Sequence, residues 1–372
     1  MTARYCADVY KGLYVRPQSQ SQVEIGFCCQ SKTALVPVAS IQNTLDHKRK
    51  LWQQQVWPTD CWNCWSIEKS KHSSRRHAIN AWYQSSQVDL DTVPELISLD
   101  VNSTNICNLA CISCGPIYSS RWAAESSKHS WTDRDPQRSR AQRLNYLDHI
   151  DLGKLQRVYF NGGEPLLAKD HIEVLQLLKT KNILHRCEVS YNTNCTVIPT
   201  PEVVDLWQQA GLVRLFLSVD AVGQAFDFIR WPATWQQVTA FLQWIHNLSF
   251  NVIIDITVTV GIHNVFEIEK LLEWQKKQLA VNHQGDAVTV NFQRVGLISH
   301  GGKVLSLANV SMETYQTVQC YLNKNLPNMT WLLPSHSGSQ TDLWVQYLEE
   351  LSVVRKKDWT TDLQQLYLAV SK

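Results

Sequence analysis

From Leu96 onward, short apolar runs alternate with longer stretches whose apolar residues recur every three or four positions. That alternation predicts repeated strand-helix units and a parallel sheet. Six runs read as strands: Leu96 to Val101, Leu155 to Phe160, Cys187 to Tyr191, Val213 to Val219, Val252 to Val260 and Ala287 to Phe292. Pro201 to Ala210 reads as a helix stopped by Gly211, Thr234 and Asn264 are suited to start the helices after them, and a further helical pattern follows Ser311. Six units predict an α/β fold, an open, partial (β/α)6 form of the TIM-like barrel, with reactive groups at the C-terminal ends of the strands. Asp342 to Ser371 carries Leu, Val and Trp at helical spacing, which predicts a C-terminal helical tail packed on the barrel.

Residues 1–85 lack such periodicity and are rich in Cys, Trp and Gln, so a bound metal is expected to hold this part together. The stretch 84–95 is polar and contains Pro94, and the boundary is placed there. The chain thus divides into a small Cys-rich module at 1–85, a barrel core at 96–330 and a C-terminal helical extension at 331–372.

Composition narrows the classes. Lys and Arg number 35 against 33 Asp and Glu, and a net charge of +2 supplies no long-range field for nucleic acid or a membrane surface. With no basic-then-apolar leader and no apolar run of roughly 18 residues, a cytoplasmic protein is expected. Eleven cysteines, an odd number at close spacings, fit metal ligation in a reducing compartment better than a disulfide framework. Cys187, Cys195 and Cys320 are scattered and read as small core residues.

Cys107, Cys111 and Cys114 form a Cys-x3-Cys-x2-Cys loop directly after the first predicted strand. Three thiolates can bind three irons of a 4Fe-4S cubane and leave the fourth open to a chelating ligand. Zinc is the alternative, although it usually takes four ligands paired as Cys-x2-Cys units. After the second strand comes Asn161-Gly162-Gly163-Glu164-Pro165, whose glycines permit close backbone approach to an amino acid's ammonium and carboxylate. Alone it could equally be a tight turn with a helix-starting proline.

Together the two loops resemble the cluster loop and Gly-Gly-Glu-Pro motif of the radical S-adenosylmethionine (SAM) superfamily. The resemblance implies a 4Fe-4S cluster at Cys107, Cys111 and Cys114, with SAM chelated by the open iron near Gly162, Gly163, Glu164 and Pro165. It further implies reductive cleavage to a 5′-deoxyadenosyl radical that abstracts a substrate hydrogen, with flavodoxin or ferredoxin as a reductant. Residues after the third and fourth strands, Asn192, Ser218 and Asp220, would meet the methionyl and ribose groups, and Arg230 the carboxylate. Strand capping for the first three and surface exposure for Arg230 are the alternatives. The family's aromatic residue before the third cysteine is Ser113 here, so the adenine contact must come from elsewhere.

Cys6, Cys28, Cys29, Cys61 and Cys64 provide a second thiol set, enough for a fully ligated cluster. With Trp57, Pro58, Glu68, Arg75 and Arg76 around them, they resemble the twitch module, a shortened SPASM domain holding an auxiliary 4Fe-4S cluster. Tyr347 to Arg355 also resembles the tail of such proteins. A structural zinc module is the alternative, and the choice between Cys28 and Cys29 stays open. The implied activity is radical modification of a ribosomally made peptide or a protein. Alternatives are dehydrogenation or epimerisation of a sugar, nucleotide or other small molecule, or a non-enzymatic zinc-bound adaptor. No catalytic side chain beyond the cofactor sites is identified.

Overall fold

The computed structural model of the protein describes residues 5–54, 59–69, 73–102, 104–129, 145–279, 288–294 and 300–371. Among these, the strands are β1 (Gly12–Pro17), β2 (Gln22–Gly26), β3 (Ala34–Pro37), β4 (Ser98–Val101), β5 (Arg157–Phe160), β6 (Glu188–Thr193), β7 (Leu212–Ser218), β8 (Val252–Val260) and β9 (Thr289–Arg294). They form one sheet in the order β3-β2-β1-β4-β5-β6-β7-β8-β9, with β4 to β9 all parallel. These six are the strands read from the sequence, each within two residues at either end, although Ala287 lies outside the described residues. The α/β partial barrel is therefore the observed architecture.

Helices Asp170–Thr180, Pro201–Gln208, Trp235–His246 and Ile268–Gln278 lie between successive strands. One face of each strand packs beneath them. Phe160 stacks on Tyr191 at 4.9 Å, Tyr191 meets Trp207 at 5.3 Å, and Trp207 meets Trp244 at 6.4 Å, all between ring centroids. Thr234 starts its helix with a capping box completed by Gln237, and the Ser311 hydroxyl accepts from the Thr314 N–H. Two expectations are corrected. Asn264 caps no helix with its side chain, because its amide donates to the Asp220 and Thr259 carbonyls and accepts from the Gly261 N–H. Cys320 is exposed, because its helix Met312–Asn325 buries the stripe Thr314, Val318 and Leu322 instead; Cys187 and Cys195 are buried.

The N-terminal residues do not stand apart from this sheet. β1 pairs parallel with β4, and β2 and β3 extend it as antiparallel strands. The end of the polar stretch is zipped on as well, with Glu95 N–H donating to the Tyr10 carbonyl at 3.0 Å and Ile97 N–H to that of Lys11 at 2.8 Å. At the other end, helices Leu343–Arg355 and Gln364–Val370 form the predicted tail, the first burying Trp344, Tyr347, Leu348 and Leu351. No helix among the described residues is long and apolar enough to cross a membrane.

Candidate active site

The three-cysteine loop follows the C-terminal end of β4, and its backbone is tied down by side chains. Arg355 Nη2 donates to the Ala110 carbonyl at 2.8 Å, Trp122 Nε1 to that of Cys111 at 2.6 Å, and Tyr347 Oη to that of Ile112 at 2.6 Å. The N–H groups of Ala110 and Ile112 donate to the carbonyls of Trp231 and Ile229 at 2.6 and 2.9 Å. Buried peptide groups need such partners, and these bonds supply them and fix the course of the loop. Cys111 is buried, Cys107 and Cys114 half-buried.

Burial pushes the Cys107 thiol up, reinforced by Cys111 and Cys114; burial also raises Cys111, with the Arg230 guanidinium opposing it. Such thiols keep their protons until a metal cation displaces them. Arg230 Nη1 lies 3.9 Å from the Cys111 sulfur and Asn194 Nδ2 lies 3.9 Å from that of Cys107, N–H groups suited to sulfur ligated by a cluster.

The Gly-Gly loop after β5 is joined directly to the cluster loop. Gly163 N–H donates to the Thr104 carbonyl at 3.0 Å and Glu164 N–H to that of Ile106 at 2.7 Å. A Cβ on Gly163 would stand 2.1 Å from the Ile106 oxygen, and Gly162 has a φ of +121° that side chains rarely adopt. The glycines thus serve the approach of one loop to the other. Glu164 is buried and bridges to the end of β6: its carboxylate accepts from Asn194 N–H at 2.7 Å, Thr193 Oγ1 at 3.0 Å and Leu166 N–H at 3.2 Å. Burial raises it to about 7, against the pull of those donors. Pro165 opens a short 3-10 turn, so the helix-starting proline is also present.

Asn192 and Ser218 are half-buried on strands β6 and β7. Asp220 and Arg230 form a buried pair, with Arg230 Nε and Nη2 at 2.9 and 2.7 Å from Asp220 Oδ2. The other oxygen of Asp220 accepts the Thr259 N–H at 2.7 Å. Arg230 is therefore no surface residue; Asp220 holds it beside Cys111.

Sequence reasoning missed several groups. His263 is fully buried with neither ring nitrogen hydrogen-bonded, and burial, then Arg230, lower it to about 3, so it is neutral. Asn102 Oδ1, against which Gly162 is packed, and Asn161 Nδ2 are also buried without hydrogen-bond partners. Orphaned polar atoms of this kind beside a motif loop mark room for a polar ligand. A lone His in an apolar run and single Asn residues carry no spacing signal.

The N-terminal thiols gather elsewhere. Cys6, Cys28, Cys61 and Cys64 line one cavity with Trp52, Trp65, Arg75 and Arg76, and Cys29 does not line it. Trp57 and Pro58 lie outside the described residues. Burial pushes the Cys61 thiol up to about 11, with the Trp52 indole opposing it. Cys29 instead donates its N–H to Asp100 Oδ2 at 3.3 Å. The register Tyr14 to Gly26 sets the Cys28-Cys29 turn near where β4 begins, at the opposite end of the strands from Cys107.

Between the two thiol sets runs the sheet face turned away from the helices. Its floor is a ladder of alternating charge: Arg75 to Asp100 at 2.9 Å, Asp100 to Arg157 at 3.3 Å, Arg157 to Glu188 at 3.7 Å, Glu188 to Arg214 at 3.5 Å and Arg214 to Asp255 at 2.7 Å.

Among the described residues no three Cys, His, Asp or Glu close around a single metal ion. A cubane takes thiolates at separate corners of a cage, and both thiol sets fit it in donor chemistry: sulfur with cationic or amide N–H groups alongside.

A sequence model of the Radical SAM superfamily matches residues 101–274, the span holding the cluster loop, the Gly-Gly loop and Arg230. The GTP 3',8-cyclase of Haemophilus ducreyi is 23% identical over 188 residues, covering 48% of this chain and 49% of that protein. The AdoMet-dependent heme synthase of Methanosarcina barkeri is 28% identical over 198 residues, covering 52% and 50%. The chain thus spans about half the length of the curated relatives it matches. Among solved structures, anSMEcpe with bound AdoMet aligns over 63% of this chain and 60% of that one, at 18% identity and a TM-score of 0.41. Streptococcus suis SuiB bound to S-adenosylmethionine aligns over 85% and 69%, at 10% identity and a TM-score of 0.39. The two motif loops, hydrogen-bonded together, both lie inside residues 101–274, the part of the chain that carries a Radical SAM superfamily domain.

Proposed function

We propose that the protein is a radical SAM enzyme acting on a peptide or protein, with Cys107, Cys111 and Cys114 as ligands of its catalytic 4Fe-4S cluster. The observation that carries this is the direct join between the Gly162-Gly163 backbone and the residues leading into Cys107. When bound, the cluster and SAM would supply reductive cleavage to a 5′-deoxyadenosyl radical, the species that takes a hydrogen atom from the substrate. The chain's own residues bind and orient. Gly162 to Pro165, Asn192, Ser218 and the Asp220-anchored Arg230 flank the site for the methionyl and ribose groups.

The N-terminal cavity is read as the seat of an auxiliary 4Fe-4S cluster, with Cys6, Cys28, Cys61 and Cys64 as ligands and Cys29 outside the set. The twitch-like unit at 1–85, the core at 96–330 and the extension at 331–372 are then functional units that share one sheet and its covering helices. Eleven unbridged thiols fit a reducing compartment such as the cytoplasm, with a flavodoxin or ferredoxin as electron donor.

A peptide suits the sheet face between the thiol sets. Strand alternation puts Asn161, Asn192, Ser218 and Thr259 on that face, a set of amides and hydroxyls able to pair with peptide groups. On the same face Tyr159 meets Phe216 edge-to-face at 5.8 Å. The charges in the floor are spent on one another. A second reading, a nucleotide or other small molecule, is favoured by the GTP 3',8-cyclase relatives. Deuterated candidate peptides and deuterated GTP, each incubated anaerobically with reconstituted enzyme and SAM, separate the two. Label in 5′-deoxyadenosine from a peptide alone supports the first, and label from GTP alone overturns it.

A further inference from the structure

Three consecutive carbonyls of the cluster loop each accept a hydrogen bond from a side chain, and two of the donors, Tyr347 and Arg355, lie on the helix Leu343–Arg355. They are 235 and 245 residues away in sequence from the carbonyls they reach. With Leu351 between them, Tyr347 and Arg355 form one buried stripe at successive four-residue steps, so a single helix face is laid against the loop.

Both side chains are locked. Arg355 donates through Nε to Glu125 Oε1 at 2.9 Å, and its guanidinium lies 5.0 Å from the centre of the Trp122 ring. His129 Nε2 meets the same Glu125 oxygen at 3.1 Å. Burial would raise Glu125, but His129 and Arg355 outweigh it and hold the group below the usual range, as a carboxylate. Tyr347 leaves no slack either. A Cβ on Gly301 would stand 2.2 Å from the Ile112 oxygen and 2.5 Å from the Tyr347 hydroxyl. The positive charge of Arg355 also acts on the Cys111 thiol, in the same sense as that of Arg230.

We propose that Tyr347 and Arg355 are positioning residues of the catalytic site, through which the helix Leu343–Arg355 fixes the Ala110-Cys111-Ile112 backbone and so governs how firmly the loop holds its cluster. A loop free to flex loses iron faster, and loss of a buried cation near a thiolate ligand favours the oxidised cluster. The inference rests on Cys107, Cys111 and Cys114 holding a cluster.

The test uses the full chain, reconstituted anaerobically, as wild type, Tyr347→Phe, Arg355→Lys and Arg355→Met. Iron release to a colorimetric chelator is timed, and the midpoint potential is taken for the cluster whose electron paramagnetic resonance signal changes on adding SAM. Tyr347→Phe should release iron several-fold faster at an unchanged potential. Arg355→Met should release it faster still at a more negative potential, and Arg355→Lys should restore most of that potential. Release rates and potentials equal to wild type in the folded variants overturn the proposal. Should Arg355→Met not fold, Tyr347→Phe, which loses one hydroxyl, decides alone. A wild type that binds no iron overturns the cluster reading beneath it, a result distinct from wild-type behaviour in the variants.

Discussion

Glu164 donates its backbone N–H to the carbonyl of Ile106 at 2.7 Å, and that same carbonyl leaves no room for a side chain on Gly163. The residue before the first cluster cysteine is thereby fastened to the second motif. Gly163→Ala would drive a Cβ to 2.1 Å from backbone, a contact no side-chain rotation relieves. A stability loss of at least about 2 kcal/mol is expected from such overpacking, together with loss of iron from the cluster loop. Chemical denaturation and iron analysis of the variant check both; wild-type iron content would count against the join.

Asp220 anchors Arg230, and both are buried. Asp220→Ala leaves a buried guanidinium unpaired and should cost about 3–5 kcal/mol, while Asp220→Asn should cost less. If Arg230 serves the cofactor carboxylate, Arg230→Lys should weaken SAM binding while altering stability little. Equilibrium dialysis with labelled SAM, alongside denaturation curves, separates the two effects.

His171 is buried between Phe160 and Tyr191, its Nδ1 2.8 Å from the Tyr191 hydroxyl, and burial lowers it to about 4. The folded state therefore resists protonation that the unfolded chain accepts near its usual value of about 6.5. Stability from this group is whole above about pH 6.5 and falls as the pH drops toward 4, by about 2 kcal/mol at pH 4.5. His171→Gln should flatten that part of the profile, read as the difference in urea unfolding between pH 7 and pH 4.5.

Cys28 and Cys29 are adjacent, but only Cys28 lines the N-terminal cavity with Cys6, Cys61 and Cys64. Cys28→Ala, like the paired replacement of Cys61 and Cys64, should remove about one cluster's worth of iron and leave some uncoupled SAM cleavage. Cys29→Ala should keep the full complement. Equal iron loss in the two single variants would argue that the adjacent thiols share the role.

How much of this was legible in the sequence depends on range. Val252 to Val260 showed its strand because a fully apolar-flanked run buries one face under helices, and Thr234 showed its cap because the capping box is local. The two motif loops were legible through spacing, and their contact followed from parallel strands lying side by side. Tyr347 and Arg355 were not, since nothing near residue 110 indicates which side chain more than 230 residues later will satisfy its carbonyls. Nor was the sheet shared by β1 and β4, because a six-residue strand in a Cys- and Gln-rich segment has too little periodicity to announce a partner. Cys320 misled because buried thiols are common, whereas its helix phase turns it outward.

The most direct test of radical chemistry at the three-cysteine loop is the amount of 5′-deoxyadenosine formed from SAM by the anaerobically reconstituted, dithionite-reduced protein, measured beside Cys111→Ala. Formation by the wild type and none by the variant is expected, because Cys111 is the buried member of the ligand set. Equal formation by both, or none by a wild type that has taken up iron, would contradict the assignment of the catalytic cluster to Cys107, Cys111 and Cys114.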